Sequence, residues 1–501
     1  MASRRDELNA YVFAKRRLVA QFLRPTSTGS DEGAPRPLRA VLPGVLAGAV
    51  GLAGFGVWGL LSPAAPPGWQ APYANVIVAN PSTTRYVVLR TNGKAQLHPV
   101  LNMASARLLV DTQGRRGQLV IRVADRLIDE EEKLPRGPAV GIPYAPDRLP
   151  SRREATTPKR WAACDRPVPR GEDVRTAVFV FSARDEDKLK RPRLLHGGQL
   201  LYVRSTAEEG GHHVVDATGT AYPIDHTDGL LLRLVVGSGR APQPVSREWL
   251  DTLHAGSRIT MPPVPGATRP SRVRQLPPQA RRIGTVLQAR EGGKRQRYVV
   301  LADRIAPVTD FVAALLLGSD ALRAIPQTEP IAARIPSTGA WFRPYGKGRW
   351  PDLAPAARPA SATVCSVLHS VDRATGRTTL GVWSGPGFPR PLPGPTTPSY
   401  VTPGSGQLYR QFTGDRTDVG PVFLATDAGF RHSIQTRGGA EPGDTGHRDG
   451  PDPAAKGAAK AAVDLLGYSD ASYIPVPRAW SSLLPTGPRL STGAAVQVQG
   501  P

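Results

Sequence analysis

The chain has 501 residues, with 52 Gly and 52 Pro, 40% apolar residues and only 6% aromatic ones. So many turn formers beside so few large rings exclude a long helical bundle and favour short β elements around more than one core. The net charge of +23 is spread along the chain rather than gathered in a tail, so no nucleic acid is expected as partner. It reads as a solvated Arg-rich surface, with anionic wall polymers or lipid head groups as the alternative.

Residues 1–39 form a basic head. Ser3-Arg4-Arg5-Asp6 has the pattern of a capping box, and Leu8, Tyr11, Val12, Leu18, Val19 and Phe22 recur near one helical face. An amphipathic helix is expected, with Arg4, Arg5, Lys15, Arg16 and Arg17 on its other faces. Such a helix suits anionic lipid or a cytoplasmic partner.

Ala40–Leu61, AVLPGVLAGAVGLAGFGVWGLL, is 22 residues without charge. At about 1.5 Å per residue it is long enough to cross a bilayer's hydrocarbon as a helix. Gly44 and Gly48 offer a small-xxx-small face for close helix packing. Eight Lys/Arg precede the stretch and no charge follows it until Arg85. Positive charge stays inside, so the head is expected in the cytoplasm and the bulk outside the cytoplasmic membrane. A cleaved signal peptide is the competing reading, but its apolar core runs to only about 7–15 residues behind a short leader.

Beyond a linker at 62–72 the chain repeats itself. Tyr86-Val-Val-Leu returns as Tyr298-Val-Val-Leu, and each copy then reaches Pro-Val, at Pro99-Val100 and Pro307-Val308. Gly198-Gln199-Leu200 returns as Gly406-Gln407-Leu408, and Gly219 with Ile224 as Gly429 with Ile434. Val245–Ile259 matches Val476–Leu490, aligning Arg247, Trp249, Leu253, Gly256 and Arg258 with Arg478, Trp480, Leu484, Gly487 and Arg489. A tandem duplication is expected, halves 73–282 and 283–494 with a tail at 495–501. The offset widens before Val476, which puts an insertion at Arg437–Ala454, of loop composition.

Within a copy, YVVLRTNGKAQLHPV reads as strand, Asn-Gly turn, strand, and NMASARLLV as one or two helical turns. TAVFVFSA and TTLGVWSG read as buried strands. The fold class is therefore a mixed, β-rich α+β region: a pseudo-two-fold duplication with a central β core and peripheral strand–turn–helix lobes, on one N-terminal transmembrane helix. Cys164 and Cys365 hold equivalent places in the two halves. Paired, they would lie near the pseudo-two-fold axis and close a loop of about 200 residues. Two free buried thiols are the other reading.

No catalytic constellation emerges. G-x-x-x-x-G-K-[ST], H-E-x-x-H and G-x-S-x-G are absent. The single G-x-G-x-x-G, at Gly54–Gly59, lies inside the apolar stretch. His212, His213 and His226 read as exposed loop histidines rather than metal ligands, and Asp129–Glu132 as a solvated acidic run without an obvious partner. No cofactor or metal is expected.

The head SRRDELNAYVFAKRRLVAQFLR, the Gly-rich stretch ending GVWGLL, LPRGPAVGIPYAPDRLP (134–150), Trp161-Ala-Ala-Cys164-Asp165 and the C-terminal LLPTGPRLSTGAA resemble EccB. That family supplies the single-span subunit of the actinobacterial type VII (ESX) secretion membrane complex. The resemblance covers nearly the whole chain. It implies four repeat lobes around the central core and a disulfide across that core. It also implies assembly with EccC-, EccD- and EccE-like subunits and with further copies of the chain, in a scaffolding role. The chain departs at the insertion near 445 and in long loops such as Ser151–Arg160. Some members are described as ATPases, an activity for which these residues offer no phosphate-binding motif. An ATPase and a stand-alone wall anchor remain as alternatives.

Overall fold

In a computed structural model the described residues are 4–23, 37–61, 65–110, 119–130, 134–168, 173–190, 192–207, 210–291, 293–335, 345, 349–394, 396–434 and 462–499. Side chains are described at all of these except 20, 23, 37–40, 57–61, 119 and 291.

Among the described residues strand pairing builds five sheets, four of them on one plan. In the first lobe Asn75–Asn80, Arg85–Thr91 and Lys94–Pro99 form an antiparallel meander, and Leu119–Ala124 returns parallel to the first strand. Asn92 and Gly93 turn the hairpin with φ of 52° and 79°. Both residues of such a tight turn need the left-handed region, which Asn tolerates and Gly reaches freely. Helix Met103–Leu109 follows, started by Asn102, whose side chain accepts from the Ser105 N–H.

Gln199–Ser205, His212–Asp216 and Thr220–Ile224 repeat the meander in the second lobe, with Gln243–Val245 returning parallel. Helix Gly229–Val235, capped by Asp228, fills the connection. In the third lobe Val286–Glu291, Lys294–Val300 and Ile305–Val308 lead into helix Asp310–Leu317, capped by Thr309, and Ile331–Ala332 returns. Gly406–Phe412, Val422–Thr426 and Arg431–Ser433 with Ile474–Pro477 make the fourth. Register agrees as well as order. Tyr86 stands opposite Pro99, and Tyr298 stands opposite Pro307.

Three lobes share a further device. Val100, Ile224 and Ile434 bridge in parallel to Val140, Ile259 and Leu490. Two residues before the first partner comes a ring, at His98, Tyr222 or His432. Three before the second comes a glycine, at Gly137, Gly256 or Gly487. A Cβ on these glycines would stand 2.2–2.4 Å from the facing ring atom, so only glycine lets the backbone pass over the ring. His98 and His432 fix the crossing through Nδ1 to the carbonyls of Pro138 and Pro488, at 2.9 and 3.0 Å. In the third lobe Ala306 takes the ring's place before Val308, which bridges Tyr345.

The fifth sheet is central. Its order is Thr378–Gly385, Thr363–Val371, Arg160–Pro167, Val174–Phe181 and Ser399–Val401. Val174–Phe181 and Thr378–Gly385 are the buried strands expected from their apolar runs. Lobes pack in pairs around the centre. First and fourth share one core, which joins Val76, Val87 and Leu108 to Leu408, Leu424 and Leu490. Second and third share another, which joins Leu200 and Leu231 to Val299, Phe311 and Leu315. The central sheet packs on the second and fourth through Trp161, Trp249, Tyr409 and Trp480. Burying a Trp contributes roughly 4–6 kcal/mol before entropy is counted. The expected loop at Ser151–Arg160 is partly ordered otherwise: Ser151 caps helix Arg152–Thr156 by accepting from the Glu154 N–H, and a strand begins at Arg160.

Candidate assembly surfaces

The head is helix Arg4–Leu23. Ser3 of the expected capping box lies outside the described residues. Leu8, Tyr11, Leu18 and Phe22 are exposed, as are Arg4, Arg5, Lys15, Arg16 and Arg17. At about 100° per residue, Lys15 falls among Tyr11, Val12 and Val19. It therefore sits within the apolar face, not opposite it, because it follows Tyr11 by four residues and Val12 by three. Arg4, four residues before Leu8, falls on the same face at its start, so the stripe carries two charges, which long side chains can lead to its edge.

Helix Pro37–Leu61 contains the apolar stretch. Among the described residues, however, no helix is long and apolar enough to cross a membrane. Side chains are described there for 41–56 only, short of the ~20 residues a crossing needs. Within them Val41, Leu42, Val45, Leu46, Val50, Leu52 and Phe55 are all exposed. Apart from the backbone of its own helix and its chain neighbours, no heavy atom of the described residues comes within 4 Å of a Cβ built on Gly44 or Gly48.

At the centre Cys164 and Cys365 face each other directly across antiparallel strands. Their sulfurs are joined at 2.07 Å, and both residues are fully buried. The carboxyl next to the bridge, Asp165, is also fully buried. It accepts from the Ser246 N–H at 2.5 Å and the Thr176 hydroxyl at 2.7 Å. Ser246 in turn caps helix Arg247–Leu250, so Asp165 pins the second lobe's last helix to the central sheet. Burial pushes this carboxyl above the ordinary range, against the pull of its two donors. Sequence reasoning passed over Asp165 as part of a matching motif; its position beside a buried cysteine was the available signal.

Among the described residues Asp185 is the other buried acid. Burial alone would raise its carboxyl, but Arg390 at 2.5 Å, with Thr402 and Tyr400, holds it below the ordinary range. Both acids bind the protein to itself. The acidic run has a partner after all, since Asp129 pairs with Arg136.

His212 and His213 lie on a strand and are half-buried, not on a loop. The His212 ring stacks between Tyr202 and His226, 4.4 Å from the latter. Burial, then the neighbouring His226 charge, lowers its proton affinity. Stacked rings cannot converge on one ion, and no group of three metal-ligating side chains occurs among the described residues. One small cavity, of about 140 Å³, opens where the central sheet meets the fourth lobe, lined by Trp161, Lys159, Leu368, Gln407 and Val476 among others. Two of its lining residues are bonded to each other, the Trp161 indole donating to Gln407 Oε1 at 2.7 Å.

Residues 1–500 match the family model described as "Type VII secretion system ESX-1, transport TM domain B". The chain belongs to the EccB family. Among relatives, this EccB-family chain is 29% identical over 477 residues to "ESX-3 secretion system ATPase EccB3" of Mycolicibacterium smegmatis, covering 91% of itself and 83% of that protein. It is 29% identical over 408 residues to "ESX-2 secretion system ATPase EccB2" of Mycobacterium tuberculosis, covering 78% of itself and 74% of that protein. Its fold is similar to a chain of an intact ESX-5 inner membrane complex, with a TM-score of 0.57 at 24% identity, covering 100% of this chain and 96% of that one. It is also similar to the EccB3 dimer from the ESX-3 core complex, with a TM-score of 0.58 at 24% identity, covering 84% and 100%.

Proposed function

We propose that this chain is a scaffolding subunit of a type VII secretion membrane complex and supports protein export across the cytoplasmic membrane. The family match over residues 1–500 carries the reading, and the likeness to chains solved within ESX complexes agrees with it. Helix Pro37–Leu61 is the single membrane span, with the head inside and everything beyond about residue 62 outside. Its described apolar side chains are exposed, as lipid-facing groups are. Pro43 inside the helix is tolerated there because neighbouring helices can satisfy the freed backbone. Gly44 and Gly48 pack against a partner helix, and Arg4, Arg5, Lys15, Arg16 and Arg17 meet lipid or cytoplasmic subunits.

The external region is a tandem duplication, halves 73–282 and 283–494, with Cys164 and Cys365 on its pseudo-two-fold axis. The common strand order of the four lobes and the matched Tyr–Pro registers support that reading. Partners are EccC-, EccD- and EccE-like subunits and further copies of this chain.

The relatives' names favour a second reading, an ATPase. Calorimetry on the full-length protein in detergent with Mg-ATP separates the two. A scaffold gives no saturable heat of binding; stoichiometric binding with turnover would replace the scaffold by the enzyme.

A further inference from the structure

Residues 269–304, the body of the third lobe, hold ten Lys/Arg against two Asp/Glu. Register shows how part of this charge is arranged. Arg290 and Arg295 stand directly opposite in the antiparallel pair, so their side chains leave the sheet on one face. On its other side, strand Val286–Glu291 runs parallel to Ile331–Ala332, with Gln288 level with Ala332. The pairing continues one step, because the Ala333 N–H donates to the Gln288 carbonyl. Two residues past Ala332, Arg334 is therefore level with Arg290. Ile331, Ala333 and Ile335 pack with Leu287, Ala289 and Tyr298 in the core below. Strand alternation then sends Arg334 to the opposite face, beside Arg290 and Arg295.

Three exposed arginines thus stand in a row across two paired strands and the segment that continues a third, with their backbones about 4.8 Å apart from one to the next and about 10 Å end to end. Arg297, one step behind on the same face, donates to Asp310 at 3.1 Å. Among the described residues the row itself has no acidic partner. Like charges directly opposite on paired strands destabilise a sheet, so folding does not call for this arrangement. A guanidinium fork matches phosphate oxygens two at a time. A single small anion would want donors converging on it, whereas an open straight row suits a chain of anions. Between 265 and 335 no large apolar side chain is exposed among the described residues, so the lobe has nothing to bury in a lipid surface.

We infer that the Arg334–Arg290–Arg295 row is a docking strip for a linear polymer carrying repeated phosphate groups, met outside the membrane. The inference rests on the proposed topology only for which polymer the strip meets; binding to purified protein does not depend on it, so the two can fail separately. The test uses the full-length protein in detergent and long-chain polyphosphate, titrated at several salt concentrations. Replacing Arg290, Arg295 and Arg334 by Gln together should weaken binding about tenfold or more and flatten the dependence of log affinity on log salt by about two. A control removes the same charge from exposed positions elsewhere, with Arg152, Arg373 and Arg377 replaced by Gln, and should change affinity less than about twofold. Equal losses in both variants, or no binding by the parent, would overturn the strip. So would inorganic phosphate competing as well as polymer at equal phosphate concentration, which would make it a single-ion site. Retention on phosphatidylglycerol vesicles through the same three arginines, without polyphosphate binding, would make lipid the partner instead.

Discussion

Asp165 is buried and held by a hydroxyl and an amide donor, with no cation bonded to it among the described residues. Its folded-state proton affinity exceeds the unfolded one, so the sign follows from linkage. The stability it allows is complete below the unfolded carboxylate pKa and is lost as pH rises through the raised folded value. Asp165→Asn removes that loss. Urea midpoints should therefore favour the variant progressively, relative to the parent, as pH rises above about 4, the ordinary carboxylate value; a difference constant with pH would mean that the carboxyl titrates normally. At Gly487 the constraint is steric, since a Cβ would meet the His432 ring at 2.3 Å. Gly487→Ala should cost about 1–3 kcal/mol by forcing the ring or the crossing strand aside. Nothing comparable is expected at Gly93, an exposed turn position, beyond its backbone preference. Gly256 and Gly487 stood in the sequence as repeat matches and Gly137 within the 134–150 segment, but the rings beneath them come from 34, 55 and 39 residues earlier, so no local pattern linked the two.

Among elements, the hairpin Arg85–Pro99 was legible because alternation and an Asn-Gly turn act locally. Helix Met103–Leu109 was legible for the same reason. Pairing of the lobes was not. The shared core of first and fourth lobes joins residues more than 300 positions apart, and hydrophobic patterning says only that a face is buried, not by what. The arginine row was hidden similarly: spread in sequence, it is gathered by strand register. The disulfide closes a separation of 201 residues. Replacing Cys164 and Cys365 with Ala should lower stability by about 2–5 kcal/mol, read from denaturant midpoints with and without reductant. A parent protein indifferent to reductant and a variant equal to it would leave the bridge without a stabilising part. On the head, Arg16→Glu with Arg17→Glu should block secretion while the external region stays folded and oxidised. Normal secretion by that variant would reduce the head to a lipid contact.

At the scale of the whole molecule, lobes one and four share one core and lobes two and three another, and the oxidised central sheet packs on one lobe of each pair. Buried titratable groups here hold elements together, while exposed apolar side chains recur along the head and helix Pro37–Leu61, and the third lobe carries the arginine row. Such a distribution suits a part that works by contact. The expected insertion at Arg437–Ala454 lies outside the described residues, and its removal is expected to leave thermal unfolding of the rest unchanged. The central claim, membership of a secretion complex as a scaffold, is tested most directly by affinity-purifying the full-length protein from native membranes in mild detergent. Large EccC- and EccD-like subunits should come with it in fixed ratio, and should be lost when Gly44 and Gly48 are both replaced by Ile. A protein that purifies alone under the same conditions, or carries only envelope polymer, would contradict the account.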